Sequence, residues 1–147
     1  MYNINLKKFY GNNIGPYHSK RILLLPEDFG PTDNSSGRGP VFPAGSATVK
    51  VTSDYKLRAS YVIPFGMKVK QSQIYALTTD ITATIYEAHV GTSTLSTKQS
   101  AFTDDDNLVT FGTPTSAGDG FKYVVVELDF NGNTAQGFFG GYMNYGY

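Results

Sequence analysis

Apolar and polar residues alternate almost without interruption over residues 61–90, in short runs broken at Pro64, Gly66 and Thr79-Asp80. Ile81, Ala83 and Ile85 share one parity and Thr82, Thr84 and Tyr86 the other, the period-two pattern of a strand with one buried face. A similar alternation opens at Ser46, where Ala47, Val49 and Val51 oppose Thr48, Lys50 and Thr52. Ser53-Asp54 separates this run from Leu57, Ala59, Tyr61 and Ile63, which predicts a hairpin. Further strands are predicted over residues 67–70, 73–77, 81–89 and 93–101. The strongest run is 121–130: Tyr123-Val124-Val125-Val126 is apolar at both parities, as in a central strand covered on each side. Asn131-Gly132 is a turn signal. The last strand, 134–143, sets Gly137, Gly140 and Gly141 among Phe138, Phe139 and Tyr142, which marks a bulge or the close approach of another backbone.

Many short strands joined by turns, with no helical period between them, predict an all-β fold: an antiparallel β-sandwich, jelly-roll-like, with an extended N-terminal arm. The arm is residues 1–20, where Asn, Tyr, Gly and Lys follow no period and Gly15-Pro16 interrupts any regular element. Its aromatic residues Tyr2, Phe9, Tyr10 and Tyr17 make it less polar than a disordered tail, so it is expected to lie on a surface, either its own domain's or a neighbour's. A strand over 21–25 ends at Pro26. The following stretch, 27–45, is rich in Pro, Gly, Asp, Asn and Ser and reads as a long loop, either a contact surface or a mobile segment. A chain of 147 residues suits one sandwich domain over 21–147 carrying that loop and arm.

Composition narrows the classes. Cysteine is absent, which removes disulfide frameworks and thiolate metal sites and leaves stability to packing or assembly. Basic and acidic residues balance at a formal net charge of +0, so no overall field draws the chain to nucleic acid or an anionic membrane. The longest apolar run, 22–25, is far too short to cross a bilayer, and the amino terminus lacks the layout of a signal peptide. The chain therefore reads as soluble and unprocessed.

Residues with chemical potential are few. Asp104-Asp105-Asp106-Asn107 is the one dense carboxylate run; without the glycine and distal glutamate of a calcium loop it reads as a solvated turn rather than a metal site. His18 and His89 are the only imidazoles. A hydrolase using His89 and a nearby carboxylate is conceivable, but a triad is defined by geometry, and no Gly-x-Ser-x-Gly elbow is present. Gly37-Arg38-Gly39 lacks the Lys-Ser/Thr ending of a phosphate loop. Lys68 and Lys70 share one strand face, which reads as solvated. Tyr and Phe could stack on sugars, yet most lie within strands and Trp is absent, which favours core packing. The expectation is a non-enzymatic protein with no cofactor and no metal.

The segment Arg21-Ile22-Leu23-Leu24-Leu25-Pro26-Glu27-Asp28-Phe29, with the polar Asp-Asn-Gly linker behind it, resembles the opening of small virion proteins of tailed phages, particularly marine podoviruses. The run Tyr61-Val62-Ile63-Pro64-Phe65-Gly66-Met67-Lys68-Val69, then Ile74-Tyr75-Ala76 and Ile85-Tyr86-Glu87-Ala88, is similar to the same group. Tyr75-Ala76 stands where that group has Tyr-Gly, and the aromatic-glycine tail has no counterpart there. The resemblance implies a capsid cement or decoration protein that binds the major capsid protein lattice on the virion surface after synthesis in the host cytoplasm. It would be a homo-oligomer on the particle, with neither nucleic acid nor membrane as partner. The alternative is a tail-associated or glycan-binding module for receptor recognition. Contact residues expected on this reading are Tyr2, Phe9, Tyr10, Tyr17, Phe29, Arg38, Phe42, Tyr142 and Tyr145, in the arm, the long loop and the aromatic-glycine tail.

Overall fold

The computed structural model describes residues 20–32, 40–52 and 56–147. Tyr2, Phe9, Tyr10, Tyr17, His18, Arg38 and the Ser53-Asp54 turn lie outside the described residues. The fold is all-β, with two antiparallel sheets and, among the described residues, no α-helix. Its strands are β1 (Lys20–Leu24), β2 (Gly30–Pro31), β3 (Lys56–Val62), β4 (Lys68–Ala76), β5 (Thr82–His89), β6 (Ser96–Phe102), β7 (Val109–Thr110), β8 (Lys122–Asp129) and β9 (Phe138–Gly146). One sheet runs β1-β9-β4-β7 and the other β2-β3-β8-β5-β6. Leu24, Val69, Ile74, Phe138 and Met143 from the first, with Leu57, Ala59, Ile85, Val124, Val126 and Leu128 from the second, form one buried cluster.

Alternation sets these faces. On β5, Ala83 and Ile85 are buried while Thr82, Thr84 and Tyr86 stay partly exposed. β8 is the central strand that its double-sided apolar run predicts, paired with β3 on one side and β5 on the other. Val124 and Val126 enter the core, and Val125 is buried on the opposite face, in register with Ser60 and Tyr86.

Three expectations from the sequence are corrected. Residues 46–52 form no hairpin with β3. Val49 instead bridges Phe138 through paired backbone hydrogen bonds of 3.1 and 3.0 Å, and Lys50 bridges Val41. Alternation identified Val49 and Val51 as buried but carried no information on their partner, because any strand edge satisfies the same pattern. Secondly, 67–70 and 73–77 are one strand, β4, whose register slips between Val69 and Gln71. The extra residue moves the buried positions from Val69 to Ser72 and Ile74, so a continuous strand reads as two fragments. Finally, 27–45 is not wholly irregular: a 3-10 turn, Pro26–Asp28, leads into β2, which pairs with β3 at Arg58 and Leu57.

The tail glycines are closely approached by neighbouring backbone. A Cβ at Gly141 would collide with the Gln73 carbonyl oxygen and lie 3.1 Å from Ile74 Cα. Gly140 adopts φ +119°, with the Leu24 carbonyl oxygen 3.0 Å from where its Cβ would stand. Glycine at both positions lets β9 lie tightly between β1 and β4.

Candidate functional site

Of the expected contact residues that are described, most serve the fold. Phe29 is only 2% exposed and packs edge-on against Phe138, with ring centroids 5.1 Å apart. Its place in the sequence suggests a loop, but the turn and β2 fold it inward, so the ring is core rather than contact surface. Tyr142 donates its hydroxyl to Gln73 Oε1 at 2.8 Å, and Arg21 lies over its ring at 4.3 Å. Tyr145 is half-buried against the core. Phe42, at 46% exposed, remains open to solvent.

His89 sits at the end of β5, next to Lys122 of β8 in register. Its Nδ1 lies 2.9 Å from the Val90 carbonyl oxygen, which can only accept, and its Nε2 is 3.6 Å from Asp119 Oδ2. Both ring nitrogens are thereby directed to oxygens, the Val90 carbonyl and the Asp119 carboxylate. The neighbouring Ser116 is engaged elsewhere: its Oγ donates to Glu87 Oε1 at 2.9 Å and accepts from Lys122 Nζ at 2.8 Å. The Ser116 N–H donates to Glu87 Oε2 at 2.6 Å. The Phe121 backbone N–H, followed by the charges of Lys122 and His89, holds the Asp119 carboxyl below its ordinary range. This cluster pins the 112–121 segment to the sheet end. It does not assemble a Ser-His-Asp relay.

The aspartate run 104–106 forms a second 3-10 turn. Asp106 Oδ2 caps it, accepting from Thr103 N–H at 2.6 Å. Among the described residues, no group of three or more His, Cys, Asp or Glu side chains converges on a metal position.

The surface of the five-stranded sheet that faces away from the core is graded along its strands. At one end Glu127, only 5% exposed, receives Arg58 through Nε at 2.7 Å and Nη2 at 2.6 Å, and Lys56 Nζ at 3.2 Å. Lys56 also reaches Asp129 at 3.4 Å. Toward the other end the charges give way to Val62 and Ala88, both in register with Tyr123, and then to Phe121 and Val90. Val62, Val90 and Phe121 are exposed and, with Ser60 and Tyr123, line a shallow cleft of about 150 Å³.

The four-stranded sheet presents a different surface. Asn144 Nδ2 donates to Gln71 Oε1 at 3.1 Å, and Gln71 Nε2 donates to Thr110 Oγ1 at 3.1 Å, so amides ladder across β9, β4 and β7. Beyond Tyr142 and Gln73, at the far end of the same sheet, Leu23, Leu25, Tyr75, Leu77 and Phe139 are all exposed. They gather where β1 and β4 finish and β9 begins. Sequence reasoning missed this group, assigning Leu23, Tyr75 and Phe139 to strands without saying which strands would be neighbours. An excess of apolar residues at the polar parity of 21–25 and 73–77 was the available signal. No protein-family model matches the chain, and no curated protein matches it.

Proposed function

We propose that this chain is a non-enzymatic structural protein of a virus particle, a capsid cement or decoration protein that docks on the major capsid protein lattice. On this reading the two sheets are a jelly-roll-like sandwich. The observation that carries the proposal is the exposed apolar group Leu23, Leu25, Tyr75, Leu77 and Phe139 at one end of the four-stranded sheet. Single exposed apolar residues need no explanation, but five gathered across three adjacent strands suit a protein contact. The resemblance of residues 21–29 and 61–88 to phage virion proteins supplies the identity of the partner. Repetition on a symmetric lattice would make even a modest contact effective.

The test is co-sedimentation of the purified protein with expanded phage heads depleted of accessory proteins. Saturable binding at a fixed ratio to the major capsid protein supports the reading, and a Leu77→Ser, Phe139→Ser variant should then bind about tenfold more weakly. A folded protein that ignores heads overturns it. One observation favours a second reading, glycan binding: Tyr75 stands exposed two residues along β4 from the Gln73 amide, next to the Gln73–Tyr142 pair, a pairing of ring and neutral hydrogen-bonding groups that suits a sugar face. Binding to a glycan array that Tyr75→Ala abolishes would select it.

A further inference from the structure

Two links between strands are tied together by amide side chains. The link from β8 to β9 carries Asn131, Asn133 and Gln136, and the link from β4 to β5 carries Asp80. Asp80 Oδ2 accepts from Asn133 Nδ2 at 2.9 Å and from Gln136 Nε2 at 3.3 Å. Asn131 Nδ2 donates to the Asp80 backbone carbonyl, and Leu77 N–H donates to the Gly137 carbonyl at 2.9 Å. Asn131 differs from the other two amides. It is exposed with φ 50°, and Gly132 behind it is exposed with φ 75°, a left-handed pair that Asn-Gly adopts at low cost. Among the described residues nothing accepts the Gly132 N–H. Asn131-Gly132 is also the one Asn-Gly pair of the chain; Asn107, Asn133 and Asn144 precede Leu108, Thr134 and Tyr145, whose side chains crowd the backbone nitrogen that glycine leaves open.

We infer that Asn131 is a self-modifying site, converting to aspartate or isoaspartate without an enzyme, and that its bond to the Asp80 carbonyl controls the rate. The Gly132 backbone nitrogen attacks Asn131 Cγ, the new C–N bond closes a cyclic imide, and the Cγ–Nδ2 bond breaks, so that the amide leaves as ammonia with the Gly132 proton. Water then opens the ring at either carbonyl and gives an aspartate or an isoaspartate. An amide held on the Asp80 carbonyl is not free to rotate onto the Gly132 nitrogen. Cyclisation therefore waits for the two links to part, and its rate follows the population of that open state. The product cannot restore the latch, because a carboxylate has no N–H to donate and would face the Asp80 carbonyl oxygen. The Asp129 carboxylate already accepts the Asn131 N–H at 2.8 Å, so the new charge enters a turn that holds one of the same sign. The reaction is independent of any docking to a capsid.

The full-length protein is incubated in mildly alkaline buffer, digested at intervals and read by mass spectrometry for amide converted to acid, beside the same chain unfolded in urea. Asn131 should convert in the folded protein while Asn107, Asn133 and Asn144 stay amides. Asp80→Ala, at an exposed position, removes the acceptor of Asn133 and Gln136 and loosens the link that carries the Asp80 carbonyl. Asn131 should then convert about tenfold faster than in the parent chain, and Asn133→Ala, which weakens the same latch, should act in the same direction. An Asn131 that converts in urea and stays intact in the folded protein would overturn the site. Rates in both variants equal to that of the parent would overturn the control by Asp80. Asn131→Asp, which carries the product side chain, should melt below the parent; an equal or higher Tm would show that the product leaves the latch intact and would overturn that consequence.

Discussion

Tyr61 donates its phenolic hydroxyl to Asp28 Oδ2 at 2.9 Å, joining the end of β3 to the 3-10 turn that follows β1. Asp28 Oδ2 also accepts the Leu25 N–H at 3.3 Å, so one carboxylate serves both the turn and the strand. Burial, then the hydrogen bond to Asp28, raises the phenol well above its ordinary pKa. The folded state therefore retains a proton that the unfolded chain releases above about pH 10. Stability should fall as pH rises past that value, because the unfolded state then binds fewer protons than the native one. Urea unfolding of the parent and of Tyr61→Phe at pH 8 and pH 11 checks this: the variant should lose about 1 kcal/mol at pH 8 and show a smaller further loss at pH 11. An identical loss in both would remove Tyr61 as its source.

Phe29 and Phe42 look alike in the sequence, each an aromatic residue in a Pro- and Gly-rich stretch, and the fold separates them. Phe29→Ala would leave a hole beside Phe138 and should cost about 3 to 5 kcal/mol. Phe42→Ala should stay within about 0.5 kcal/mol of the parent. Chemical denaturation of the two variants side by side decides the matter, and similar midpoints would contradict the burial of Phe29.

Glu127 is enclosed while its partners Arg58 and Lys56 keep nearly half of their side chains exposed. Their charges can hydrate if the carboxylate is lost, but the carboxylate cannot if they are lost. Arg58→Met should therefore destabilise more than Glu127→Gln, by on the order of 2 kcal/mol for the arginine change. Thermal melts of both variants at neutral pH provide the comparison; the reverse order would mean that Glu127 is more accessible than its burial indicates.

Gly141→Ala should destabilise by about 1 to 3 kcal/mol, since the new methyl meets the Gln73 backbone, which cannot rotate away. Gly112, with open space where its Cβ would be, is the matched control and should tolerate alanine. Differential scanning calorimetry of the pair checks this: equal melting temperatures would mean that Gly141 does not lie against the Gln73 backbone.

The all-β class and most of the buried positions are legible in the order of residues. Strict alternation on β5 and the double-sided run on β8 reflect geometry internal to a strand, and that geometry is local. The glycine-aromatic tail announced a close backbone approach for the same reason: a missing Cβ is visible in one dimension. Strand pairing emerges only in the folded chain. Folding brought Val49 to Phe138 instead of to β3, turned Phe29 inward, and merged two runs into β4 through a bulge that reverses parity. It also gathered Leu23, Leu25, Tyr75, Leu77 and Phe139, which are separated by up to 116 residues along the chain, at one end of a sheet. Alternation states that a residue faces inward or outward and says nothing of its lateral neighbours, since every strand presents the same backbone donors and acceptors. Surface groups that span several strands are consequently a property of strand order, and strand order is set by how the whole set of apolar faces packs around one core.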